Sequence, residues 1–324
     1  MSPPVTGKPH TEVGASAVAG ACAGFVSSMV TCPLDVIKTR LQAETLSFGM
    51  QRPVNGFRAV THLISRIWHD DGVRGFYRGL GPTMIGYLPT WAIYFGVYDT
   101  CKQHMIGHYG SEGDTFATHV LSAMTAGAVS TSCTSPLWVV KTRCMLQTRS
   151  VPEDVRYRNT LHAIIKIYHQ EGIGGFYKGL LPSLLGVSHV AIQFPLYEYF
   201  KRIARACNAA RGSPAEKHEQ RGSPTPGMIL LCSGGSKMLA SVATYPHEVM
   251  RTRLQMMPQG HTRSQYTGLW QAVCRTWSNE GIRGFYRGMG VNLVRTVPNS
   301  GLTILTYELI MHYFVTHPRA ASLV

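Results

Sequence analysis

Six long apolar stretches, near residues 14–42, 80–106, 117–147, 180–206, 228–256 and 289–315, alternate with polar segments along the chain. Each is long enough to cross a bilayer as a helix, which takes about 20 residues. None is uniformly oily, because every stretch carries Gly, Ser, Thr or a charge on one side. That pattern predicts helices with one face toward lipid and the other toward a polar interior. Between paired stretches lie shorter segments with apolar residues at helical spacing, such as Val60, Leu63, Ile64, Ile67 and Trp68, or Leu161, Ile164, Ile165 and Tyr168. These predict amphipathic helices lying on the membrane surface. Gly20 and Gly24, four apart in the first stretch, suggest a close-packed face there.

The pattern is threefold. Pro33-Leu-Asp35-Val-Ile-Lys38, Pro136-Leu-Trp138-Val-Val-Lys141 and Pro246-His247-Glu248-Val-Met-Arg251 each fall within an odd-numbered stretch. A second motif, acid-Gly-(Val/Ile)-x-Gly-Phe-Tyr-basic-Gly, runs from Asp71-Gly72 to Arg78-Gly79, from Glu171-Gly172 to Lys178-Gly179 and from Glu280-Gly281 to Arg287-Gly288. A third appears as Tyr98-Asp99-Thr-Cys-Lys102, Tyr197-Glu198-Tyr-Phe-Lys201 and, altered, Tyr307-Glu308-Leu-Ile-Met311. Three motifs in one order, repeating at about a hundred residues, define one triplicated assembly. The expected layout is a polar tail over 1–12, repeats over 13–106, 115–206 and 227–315, and a C-terminal tail over 316–324. The segment 207–226, with Arg-Gly-Ser-Pro at 211 and again at 221, reads as a flexible polar joint.

Composition sharpens this. The net charge is +14 with only 15% charged residues, a balance that suits anionic lipid and an anionic solute. Nucleic acid is a poorer match, because Lys and Arg recur at fixed repeat positions rather than in one dense patch. The eight cysteines form no metal-ligand spacing, so no metal is expected. An enzyme is not expected either, since no dinucleotide fingerprint, phosphate-loop lysine or nucleophile-base pair stands out. The N-terminus lacks the layout of a secretory signal or an Arg-rich transit helix.

The three motifs together, from roughly Val13 to Phe314, resemble the mitochondrial carrier family. The resemblance implies an all-α membrane protein with six transmembrane helices in three pseudo-symmetric repeats, each with a matrix-side amphipathic helix. It also implies a monomeric, multi-pass carrier of the mitochondrial inner membrane. A charge in hydrocarbon is costly unless paired, so acids and bases one turn apart beside a proline should close one end of the molecule. By the family pattern Asp35 meets Lys141 and Glu248 meets Lys38 in a matrix gate, with Arg251 facing Trp138 where an acid is usual. On the cytoplasmic gate Asp99 meets Lys201 and Glu308 meets Lys102, leaving Glu198 facing Met311. Gln42 and Gln255 match brace positions under the first gate, from which Met145 departs, and Tyr98, Tyr197 and Tyr307 match those of the second. A non-transporting adaptor of the same fold would be expected to have degraded gates, whereas most of these charges are kept.

Positions thirteen residues before Asp99, Glu198 and Glu308 are Gly86, Leu185 and Arg295, with Gly186 beside the second, and these resemble the family's substrate contact points. Two are small or apolar and one is a cation, which favours a nucleotide: a flat surface for the base, and an arginine whose planar fork suits phosphate. Trp91 either stacks on a base or packs against neighbours. His189 and Gln193 share a helical face and either bind a base or amide or join two helices. Asn292 and Asn299 flank Arg295 as weaker members. Pro136-Leu-Trp138-Val-Val-Lys141-Thr-Arg143 resembles the branch that carries NAD, pyrimidine nucleotides, folate and FAD. Tyr245-Pro-His247-Glu248, Thr90-Trp91, the short loop 43–56 and the run from Leu181 to Phe194 place the chain beside the NAD carriers, with import by exchange for a matrix nucleotide. A pyrimidine nucleotide, FAD or folate is the alternative cargo. Cardiolipin is the expected structural lipid, held by Gly72, Gly172, Gly281 and the basic Arg78, Lys178 and Arg287.

Overall fold

A computed structural model describes residues 9–47, 57–109, 115–148, 156–211, 226–256 and 268–316. The described chain is helical in three similar passages. The first has α1 (Pro9–Ser47), α2 (Phe57–Asp71), α3 (Val73–Phe76) and α4 (Leu80–Tyr109). The second has α5 (Phe116–Leu146), α6 (Thr160–Glu171), a 3-10 turn over Ile173–Tyr177 and α7 (Leu180–Arg211). The third has α8 (Pro226–Gln255), α9 (Leu269–Glu280), α10 (Ile282–Phe285) and α11 (Met289–Thr316). The helical part of the first passage starts at Pro9, inside the expected polar tail, and α7 runs five residues into the expected joint, to Arg211. The rest of that joint, residues 212–225, and the tail beyond Thr316 lie outside the described residues.

Each of the six long helices contains an interior proline: Pro33, Pro89, Pro136, Pro195, Pro246 and Pro298. A proline at such a place lacks the N–H for its turn and bends the axis. Among the described residues, the stretch Ile173–Ala206 alone is long and apolar enough to cross a membrane by length and composition. The other long helices carry charges and hydroxyls on one face, as the sequence pattern requires of helices around a polar interior.

The amphipathic helices have two apolar sides rather than one. In α2, Leu63 and Ile67 are buried while Ile64 and Trp68 are exposed. In α9, Ala272 and Thr276 are buried while Trp270 and Trp277 are exposed. The inner side packs on a long helix of the same unit, α1 for α2 and α8 for α9; the outer aromatic side suits the interfacial zone of a membrane.

The chain divides into two compact units. The first holds Met1–Leu88, Val140–Ile167 and Gly288–Val324. Its core joins Cys32, Val36, Ile37 and Leu41 of α1 to Leu63 and Ile67 of α2 and to Met145. Here α1 packs along α11, the first long helix against the last. The second unit holds Pro89–Val139 and Tyr168–Arg287, and its main helix pair is α7 with α8. Small buried residues let these helices approach: Ala19, Ala23 and Ser27 on α1, and Ser236 and Ala240 on α8. The close-packed face of α1 is therefore not that of Gly20 and Gly24, whose α-carbons face open space with nothing within 4 Å of where a Cβ would sit. The buried stripe is displaced by one residue, about 100° around the helix.

Candidate functional site

The repeated box after each amphipathic helix is built on two left-handed glycines. Gly72, Gly172 and Gly281 have φ of 61°, 66° and 61°, and Gly79, Gly179 and Gly288 have φ of 86°, 80° and 79°. A side chain at such φ is strained, which is why glycine recurs there. Gly79 and Gly179 are also crowded: a Cβ at 79 would lie 2.6 Å from Met145 Cγ and 3.2 Å from the Lys141 carbonyl, and one at 179 would lie 3.1 Å from the Arg251 carbonyl. Met145 thus occupies, on Gly79, the place that Gln255 occupies on Gly179.

Between each glycine pair an acid is clamped by cations. In the first unit Asp71 is bonded by Arg40 at 3.1 Å and by Arg78 at 2.7 Å. In the second, Lys178 lies 2.6 Å from Glu171, and Glu280 is held by Arg253 at 2.7 Å and Arg287 at 3.6 Å. Arg40 is 3% exposed and Arg253 1%, so these are interior ion pairs. Arg78, Lys178 and Arg287, expected to face lipid phosphate, are each placed against the acid seven residues before them. Gly72, Gly172 and Gly281 precede helices of only four or five residues, too short to present the N-terminal dipole expected of them. Arg40 and Arg253 were missed, although Thr-Arg follows the gate cation in every repeat and marks them.

The charged residues of the first unit form a ladder between α1 and α11. Ser27 donates to the side-chain oxygen of Asn299 at 2.9 Å, Arg295 is ion-paired with Asp35, and Lys38 donates to Asn292 at 2.8 Å. Lys141 also approaches Asp35, at 3.9 Å, the pair expected for the matrix gate. Gln42 is buried, as is Gly86. Glu308 and Tyr307 of the other expected gate are exposed. The expected partners Lys38 and Glu248, and Lys102 and Glu308, fall in different units.

In the second unit Arg251 and Glu248 sit on α8 above the buried Gln255, and Trp138 donates its indole N–H to Thr134 at 3.2 Å. Asp99 is exposed, and the Lys201 ammonium is directed to Glu198 on its own helix at 3.6 Å and over the Tyr197 ring, rather than to Asp99. Tyr98 is hydrogen-bonded to His119 at 2.8 Å and stacked on Tyr94. Trp91, 51% exposed, stacks on Phe95 at 5.6 Å with its outer face open. Leu185 is exposed too.

Gly186 touches a residue that sequence reasoning used only as a branch marker. A Cβ at 186 would come 2.5 Å from Nε2 of His247. The His247 ring bonds through Nδ1 to the Thr244 carbonyl, and His189 Nδ1 lies 3.2 Å from the Thr244 hydroxyl. His189 therefore joins α7 to α8, while Gln193, one turn on, is half-buried. The cluster of Gly186, His189, Thr244 and His247 was not legible as such, because nothing in α7 or α8 alone says which faces meet.

The arrangement is one of paired and exposed charges and hydrogen-bonding groups near proline bends: it can bind and release a polar solute. A family model described as "Mitochondrial carrier protein" matches residues 9–109, 112–206 and 223–318. The mitochondrial nicotinamide adenine dinucleotide transporter 1 of Saccharomyces cerevisiae is 41% identical over 93% of this chain and 77% of its own length. The mitochondrial nicotinamide adenine dinucleotide transporter 2 of Arabidopsis thaliana is 41% identical over 94% of this chain and 80% of its own. A chloroplastic nicotinamide adenine dinucleotide transporter 1 of the same plant is 41% identical over 93% and 92%.

Proposed function

Because the chain belongs to the mitochondrial carrier family, we propose that it moves NAD+ across the mitochondrial inner membrane into the matrix, in exchange for a matrix nucleotide. The observation that carries the choice of cargo is the similarity, along nearly the whole chain, to proteins named as nicotinamide adenine dinucleotide transporters. The contact positions agree with it. Arg295 is the one cation among Gly86, Leu185, Gly186 and Arg295, so it serves as the pyrophosphate anchor, its fork donating two parallel hydrogen bonds. Trp91 offers an exposed aromatic face to a base.

The mechanism we infer is alternating access. Within the first unit the Asp35–Lys141 pair is made, which supports its reading as a matrix-gate contact, and within the second unit Lys201 is directed to Glu198 rather than to Asp99. Substrate reaching Arg295 competes with Asp35 for the same guanidinium, so binding loosens a gate contact and differential affinity for the two states drives the exchange. Cardiolipin beside the three glycine boxes is the lipid partner in this reading, and the working species is a monomer.

Purified protein in liposomes should take up labelled NAD+ in preference to UTP, CTP, FAD and folate. A preference for another of these nucleotides would overturn the NAD+ reading and leave the carrier reading standing. Since one relative bears a chloroplast name, the organelle is tested separately by fractionation of tagged protein.

A further inference from the structure

One threonine in α8 sets the chemistry of two histidines. The Thr244 hydroxyl donates to the Ala240 carbonyl at 2.8 Å, so toward His189, 3.2 Å away, its oxygen acts as acceptor. His189 must then donate from Nδ1. The His247 Nδ1 faces the Thr244 carbonyl, which can only accept, so this ring too carries its proton on Nδ1. When neutral, each ring so fixed leaves its remaining nitrogen, Nε2, as a lone-pair acceptor. His247 Nε2 lies at Gly186, whose missing side chain makes the room for it. His189 is one turn further along the same helix as Gly186, and Gln193 is one turn beyond that. All of these residues belong to the second unit.

We infer that His189 and His247, held in the Nδ1–H form by Thr244, are specificity residues that accept hydrogen bonds from an exocyclic NH2 group of the cargo. This rests on the reading of the chain as a nucleotide carrier and adds what part of the nucleotide is recognised here. Two acceptors are a poor place for phosphate, which is itself all acceptor. They match an amino or carboxamide group, of which NAD+ has two: the 6-amino group of adenine and the carboxamide of nicotinamide. An analogue with oxygen in place of that NH2 sets lone pair against lone pair, and a site built to hydrogen-bond a donor rejects it strongly. Thr244 is a positioning residue, since it acts through the rings.

The test compares uptake into liposomes of NAD+, its deamido analogue with a carboxylate for the carboxamide, its hypoxanthine analogue with oxygen for the 6-amino group, CTP and UTP. Wild-type protein is expected to favour NAD+ over at least one analogue by roughly tenfold or more. Cytosine carries an exocyclic NH2 where uracil carries oxygen, so CTP should exceed UTP whether or not NAD+ is the main cargo. His247→Phe and His189→Phe should each lose most of that discrimination; Thr244→Val, which removes the hydroxyl facing His189 but keeps the main-chain carbonyl facing His247, should weaken it, while Thr244→Ser, which keeps the hydroxyl, should retain it. Melting temperature in detergent identifies any variant that has simply unfolded, and three separate substitutions keep the test alive if one does. Equal uptake of NAD+ and both analogues together with equal uptake of CTP and UTP, or full discrimination in the folded Phe and Val variants, would overturn the assignment. Wild-type protein that ignores NAD+ but selects CTP over UTP would instead remove the NAD+ reading and support the acceptor pair.

Discussion

The guanidinium of Arg295 on α11 is ion-paired with the carboxylate of Asp35 on α1, about two turns along α1 from Ser27, which pairs with Asn299. The residue expected to anchor phosphate is thus already occupied by a gate acid. Arg295→Lys keeps a charge for Asp35 but loses the bidentate fork. Loss of one charge-assisted hydrogen bond, about 1.5–3 kcal/mol, corresponds to roughly ten- to a hundredfold in NAD+ affinity. Liposome uptake as a function of NAD+ concentration measures it, and wild-type affinity in this variant would remove Arg295 as anchor.

Asp35→Asn leaves two cations, Lys141 and Arg295, facing a neutral amide in a poorly hydrated place. Breaking a buried pair from one side costs about 3–5 kcal/mol. The variant should melt well below wild type, and excess NAD+ should restore more of the melting temperature than it adds to wild type, because the freed Arg295 no longer has a competitor.

Asp99→Asn should behave in the opposite way. Asp99 is exposed here, so the substitution should change stability by less than about 0.5 kcal/mol, the usual range for a surface change, and leave the melting temperature near that of wild type. Uptake should fall several-fold, since the pair with Lys201 is needed when the protein closes on that side. Unchanged uptake would argue against a gating role for Asp99.

The glycine boxes separate two costs. Gly72→Ala meets only the strain of a left-handed backbone, about 1–2 kcal/mol, since nothing lies within 4 Å of the new methyl. Gly179→Ala adds a contact of 3.1 Å with the Arg251 carbonyl, which cannot swing aside as a side-chain tip can. Gly179→Ala should therefore lower the melting temperature clearly more than Gly72→Ala, measured side by side in the same detergent.

Because Arg78 lies 2.7 Å from Asp71, whose side chain is fully buried, Arg78→Gln should destabilise the protein even without lipid. Added cardiolipin should raise the melting temperature of wild type. If Arg78→Gln matches wild type in lipid-free detergent, the ion pair is not what holds this box.

The helices were legible because their apolar runs are long and each repeat carries the same punctuation of proline and glycine. The faces were not. Periodicity says that α1 has a polar side, but Gly20 and Gly24 lie one residue off the stripe of Ala19, Ala23 and Ser27 that packs. The family pattern pairs Asp35 with Lys141, whereas Asp35 with Arg295 required knowing that α1 lies along α11. Arg40 and Arg253 passed for ordinary basic residues after the motif, because burial of an arginine is decided by an acid from the next box, not by its neighbours in sequence. His247 was visible as a letter but not as an acceptor, since its tautomer is set by Thr244.

The pairing of α1 with α11 has a consequence for how such a chain is made. Ser27 and Asn299 are 272 residues apart, so the first helix to emerge waits for the last before its hydroxyl and its carboxylate are covered. Contacts this distant in sequence form late and slowly. Until Met289–Thr316 arrives, an unfinished molecule presents Ser27, Asp35 and Lys38 on a helix face that lacks its α11 partners Asn299, Arg295 and Asn292.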